Sequence, residues 1–84
     1  MVSYLILCRS LTYAPRTAGV LERSGIKGRV ARLPHSIAGE GCGYCVRVGE
    51  HSFDGALRSL REDGMSPKRV YRENADGSFV EVTL

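Results

Sequence analysis

Two cysteines stand three residues apart in the run Gly41-Cys42-Gly43-Tyr44-Cys45, and a third, Cys8, lies near the start of the chain. Thiols at such spacing can do three kinds of chemistry: carrier or nucleophilic work on one thiolate, dithiol–disulfide exchange, or metal ligation. Cys42 is the leading candidate for the first. Gly41 and Gly43 flank it, and without Cβ atoms they allow positive φ and a close approach by another molecule. The competing reading is that these glycines only form the turn before a strand. Cys45 either resolves an oxidised Cys42 or fills space as a small hydrophobe. Dithiol chemistry is poorly supported, because a thioredoxin-type C-x-x-C opens a helix after a strand, whereas this one opens a strand after a loop. Cys8, His35, Cys42 and Cys45 match zinc in ligand type and number. Only one pair is closely spaced, however, and no second C-x-x-C or H-x-x-x-H accompanies it, so no metal is assigned.

These residues must be positioned by the elements around them. Residues 2–8 read as a buried strand. A helix follows, with Thr12 as N-cap, Pro15 in the first turn, and Ala14, Ala18 and Leu21 on one face. Ser24-Gly25 stops it, and Ile26 supplies the apolar contact of a C-cap. Strands are expected at 27–33, ended by Pro34, and at 43–48. Ser52 then caps a second helix that buries Phe53, Ala56, Leu57 and Leu60. Strands at 68–74 and 78–84 close the chain through an Asp76-Gly77 hairpin. That turn puts Arg72 opposite Glu81 and Tyr71 opposite Val82. The halves echo each other: Leu21-Glu22-Arg23-Ser24-Gly25-Ile26 matches Leu60-Arg61-Glu62-Asp63-Gly64-Met65. The expected fold is α+β, a ferredoxin-like split β-α-β sandwich (βαββαβ) with an extra C-terminal strand forming a hairpin, in one domain over residues 1–84.

In that topology the first two strands are parallel and the third runs antiparallel between them. Cys8, Pro34-His35 and Cys42 then share one edge of the sheet. The first helix begins there, so its unpaired amides and positive dipole end face the group, with Arg9 and Arg16 nearby in sequence. Such surroundings favour the thiolate. Glu40 opposes this if it points inward. Arg32 and Arg47, if neighbours on strands two and three, would add a cationic docking surface. His51 falls at the opposite edge.

Bulk properties narrow the alternatives. The chain has 84 residues, 12 basic against 9 acidic, and a net charge of +3. Ten of the 12 cations are arginine, which favours bidentate contacts to carboxylate or phosphate. The apolar stretch Tyr4-Leu5-Ile6-Leu7-Cys8 is too short for a membrane span and lacks the features of a signal peptide. A cytoplasmic protein with reduced thiols is expected, and no membrane partner. No phosphate loop, nucleophile elbow or H-E-x-x-H is present, and nothing calls for a cofactor. Whether the chain is an enzyme stays open. Nucleic acid is not expected as a partner, because the third strand presents Gly43, Cys45 and Arg47 on its open face while Tyr44 turns to the helices. The first strand is apolar on both faces, so the C-terminal hairpin or a second copy in a homodimer must cover the second face. A non-catalytic protein–protein or small-ligand regulatory module is the main alternative, since fold does not settle function.

Pro34-His35-Ser36-Ile37, then Gly41-Cys42-Gly43-Tyr44, then Val46-Arg47-Val48 resembles the pattern of the putative selenium/sulfur carrier protein-like family of short bacterial proteins. The resemblance maps the family's cysteine onto Cys42 and its proline onto Pro34. His35 stands where the family more often has arginine. What the resemblance implies is a sulfur or selenium carrier that holds a persulfide or selenosulfide on Cys42. The resemblance does not carry over Cys8 or Cys45; the expected topology makes them supporting thiols, and Gly41, Gly43, Arg9 and Arg47 are the expected binding residues. Its partners would be a protein donor and a protein acceptor.

Overall fold

The computed structural model describes residues 2–8, 12–34, 37, 43–67 and 69–83. The expectations placed on Arg9, His35, Glu40, Gly41 and Cys42 lie outside the described residues. Five strands and two principal helices follow in the order β1 (Ser3–Leu7), α1 (Tyr13–Arg23), β2 (Arg29–Arg32), β3 (Tyr44–Gly49), α2 (Phe53–Glu62), β4 (Val70–Glu73) and β5 (Phe79–Val82). A 3-10 turn, Glu50–Ser52, leads into α2. None of the helices among the described residues is long and apolar enough to cross a membrane.

The sheet order is β2-β3-β1-β4-β5, and every neighbouring pair is antiparallel. The fold is therefore α+β, with α1 linking β1 to β2 and α2 linking β3 to β4. Strand alternation sorts the side chains between two faces. Ile6, Val46, Val48 and Val70 meet Ala14, Val20, Leu21, Phe53, Ala56 and Leu60 of the helices in the main core. Tyr4 stacks on Phe53 there, ring centroids 3.9 Å apart and nearly parallel. On the opposite face Leu5, Leu33 and Cys45 form a smaller buried cluster, with Leu7, Ala31, Ile37, Tyr71 and Phe79 packed around it. The second face of β1 is thus covered by the chain itself, including the C-terminal hairpin.

Both helices end in the same way. Ile26 N–H bonds Leu21 C=O at 2.9 Å and Gly25 N–H bonds Glu22 C=O at 2.9 Å. Met65 N–H bonds Leu60 C=O at 2.8 Å and Gly64 N–H bonds Arg61 C=O at 3.0 Å. Gly25 and Gly64 each have φ of 78°, so each helix closes with a Schellman motif. The echo in the sequence is this repeated cap. The helix starts depart from expectation, because neither Thr12 nor Ser52 makes a side-chain cap bond and both adopt helical dihedrals. Thr17 was not expected inside; it is buried in α1 because its hydroxyl donates to Tyr13 C=O at 2.9 Å.

The C-terminal hairpin corrects the expected register by one residue. Tyr71 pairs with Glu81 and Arg72 with Val80. Asn74 N–H bonds Ser78 C=O at 2.8 Å, leaving a three-residue loop with Gly77 at φ 88°. A two-residue I′ turn needs positive φ at both Asp76 and Gly77, whereas the three-residue loop needs it at the glycine alone.

Candidate functional site

The end of the sheet that carries the cysteines is built from three strand ends. Leu7 of β1 pairs with Cys45 of β3, and Cys8 N–H continues the ladder to Tyr44 C=O at 3.2 Å. On the other side of β3, Leu33 N–H bonds Gly43 C=O at 2.8 Å. The entry to β3 is therefore clamped between the ends of β1 and β2, and Gly43, the residue after Cys42, is exposed. Tyr13, at the start of α1, lines a small void together with Ile6 and Leu7, which places that helix start at the same end of the sheet. No acidic residue occupies the first turn of α1. The positive end of its dipole is not neutralised from within the helix.

Cys8 and Cys45 are both packed away. Cys8 is 5% exposed in the main core, and its thiol donates to Ile6 C=O at 3.6 Å. Cys45 is fully buried in the second cluster, between Leu5 and Leu33. The two thiols project from opposite faces of the sheet, so the structure does not bring them together. One tetrahedral metal cannot take both, which breaks the four-ligand zinc set. Among the described residues no group of three or more His, Cys, Asp or Glu side chains could hold a metal ion.

The expected arginine pair is also separated. Arg32 lies opposite Tyr44, its guanidinium carbon 6.0 Å from the ring centroid on the helix side. Arg47 lies opposite Arg29, on the other face and toward the other end of β3. Residues 32 and 47 fall on different faces because the pairing aligns 29 with 47 and side chains alternate from there. Arg47 instead reaches across β1 to form an ion pair with Glu73 of β4, and Ser3 donates its hydroxyl to the same carboxylate oxygen at 3.4 Å. Sequence reading missed this group, because its members lie on three strands and become neighbours only once β1 is placed between β3 and β4. His51 sits in the 3-10 turn after β3, at the end of the sheet opposite the cysteines.

The Putative Se/S carrier protein-like family model matches residues 3–72. The chain belongs to this family. The match spans both helices, the entry to β3 and most of β4, so the strand-end arrangement lies inside it. No curated protein and no solved structure matches the chain.

Proposed function

We propose that this family member is a sulfur or selenium carrier that holds its cargo on Cys42 and hands it to a partner. The observation that carries this reading is that the other two thiols are packed away, Cys8 at 5% and Cys45 at 0% exposure, which supports Cys42 as the carrier. The exposed Gly43, the clamped entry to β3 and the start of α1, whose first turn holds no acidic residue, support a thiolate at this end of the sheet. In the loading step the Cys42 thiolate attacks the outer sulfur of a donor protein's persulfide. The donor's S–S bond breaks, its thiolate leaves, and a new S–S bond forms on Cys42. Delivery repeats the displacement with an acceptor thiolate, so no oxidant is consumed. A selenosulfide moves by the same exchange.

The partners in this reading are the donor and acceptor proteins. A homodimer is not required to bury the second face of β1, because Leu33, Ile37, Tyr71 and Phe79 cover it. Exchange of this kind suits a reducing compartment, which supports a cytoplasmic carrier. The position of β1 between β3 and β4, with a helical connection in each half, supports a ferredoxin-like split β-α-β sandwich extended by β5.

The test is mass spectrometry on protein isolated without reductant and alkylated mildly, with wild type beside Cys42→Ser. A sulfur or selenium adduct on the Cys42 peptide, removed by reductant and absent from the variant, is expected. An unmodified Cys42 that reacts no faster than a free cysteine, even after incubation with a persulfide donor, would overturn the reading in favour of a binding module.

A further inference from the structure

The end of the sheet remote from the cysteines carries a second feature. Ser3, Lys27, Gly28, Arg29, Arg47 and Gly49 line a depression of about 610 Å³. Three cations, Lys27, Arg29 and Arg47, line it, and among the described residues Arg47 is the one of the three in an ion pair, with Glu73. Arg29 and Arg47 are direct cross-strand partners, and like charges so placed repel each other. Lys27 and Arg29 are exposed, and among the described residues neither has an acidic partner. At Gly49 the wall is low, because a Cβ there would meet nothing within 4 Å. A chain whose only concern was stability would separate these cations or neutralise them.

The geometry points to a binding site for the phosphoryl group of a small ligand. Two guanidinium forks and an ammonium, only one of them already paired, suit a dianionic oxyanion that can accept several charge-assisted hydrogen bonds. The depression is open to solvent and wider than a lone phosphate, so it leaves room for the body that carries the phosphate. Glu73 holds Arg47 in place, so that fork is positioned before the ligand arrives. The site lies at the end of the sheet opposite Cys8 and Gly43, so it does not depend on the carrier reading.

Titration of the full chain with ADP and with inorganic pyrophosphate, at fixed low ionic strength and followed by amide NMR, tests this directly. Saturable shifts are expected at Lys27, Gly28, Arg29 and Gly49. Arg29→Ala should weaken binding at least about tenfold, equivalent to about 1.4 kcal/mol. Arg29 is exposed, so an unchanged spectrum elsewhere will show that this variant still folds. Lys27→Ala provides the second case. Tighter binding of ADP than of pyrophosphate would support a nucleotide, and equal binding would support a phosphoryl group alone. No shifts at these amides, full affinity in both variants, or stronger binding of a single-stranded oligonucleotide than of ADP would overturn the proposal.

Discussion

Gly28 shows how much one missing Cβ can decide. A Cβ built there would lie 2.9 Å from Val46 Cγ1 and 3.0 Å from Leu21 Cδ1, and both of those side chains are fully buried. The glycine lets the start of β2 sit tightly against α1 and β3. Gly28→Ala should destabilise the protein by about 1–3 kcal/mol through overpacking, as read by urea denaturation; an unchanged midpoint would mean the core yields there without cost. Asp76 supports a second prediction. Its carboxylate accepts the Ser78 hydroxyl at 2.6 Å and the Ser78 N–H at 3.0 Å. These bonds, the hydroxyl first, hold its pKa below the ordinary aspartate value. A depressed folded-state pKa stabilises the hairpin turn above the unfolded-state value, and that contribution is lost as pH falls through the folded one. Ser78→Ala should raise the Asp76 midpoint in an NMR titration without fully restoring it, because the backbone donor remains. A midpoint that stays where it was would assign the shift to some other cause.

At the level of elements, the helix ends and the C-terminal hairpin were legible in the sequence, and the register of the hairpin was not. Ser24-Gly25-Ile26 and Asp63-Gly64-Met65 each combine a glycine able to take positive φ with an apolar residue that returns to the helix, and few alternatives satisfy both demands. Replacing Gly25 or Gly64 with alanine forces an L-residue into the left-handed region, at a cost of about 1–2 kcal/mol each. Thermal or chemical unfolding of the two single variants should show similar losses. A neutral substitution at either site would mean that helix can end in another way. Asp76-Gly77, in contrast, fits loops of two or three residues, and local sequence does not separate them. The one-residue difference moves every side chain of β5 to the other face. It explains why Val80 is 54% exposed on the helix side while Phe79 packs beneath the sheet. The candidate site divides along the same line. Convergence of Cys8, Leu33 and Gly43 at one sheet end followed from strand order, whereas burial of Cys8 and Cys45 on opposite faces depended on register and on what covers each face.

For the whole molecule, those two buried cysteines report on two different cores of one sheet. Cys8 belongs to the larger core between sheet and helices, and Cys45 to the smaller cluster closed by Leu33 and Ile37. Exposing Cys8 requires the helices to separate from the sheet, close to global unfolding. Exposing Cys45 requires only that the cover of the second face lift, and openings of that smaller kind cost less than the global free energy. Ile37 lies in the same connection as Cys42, between β2 and β3, so the segment that carries the proposed cargo cysteine also helps seal Cys45. Under native conditions one thiol, Cys42, should therefore react at once with a small alkylating probe. Cys45 should follow through local opening, and Cys8 only at denaturant concentrations that unfold the chain. Ile37→Ala removes part of the cover from a half-buried site and should weaken its closure by about 1.4 kcal/mol. That speeds labelling of Cys45 about tenfold and leaves Cys8 unchanged. Peptide-resolved labelling against time measures all three rates in one sample. If Cys8 and Cys45 became reactive together, with the same denaturant dependence and the same response to Ile37→Ala, the two faces would form one cooperative unit. The connection bearing Cys42 could then not open without the sheet, and a carrier that must offer its cargo to two partners would have to do so from a closed fold.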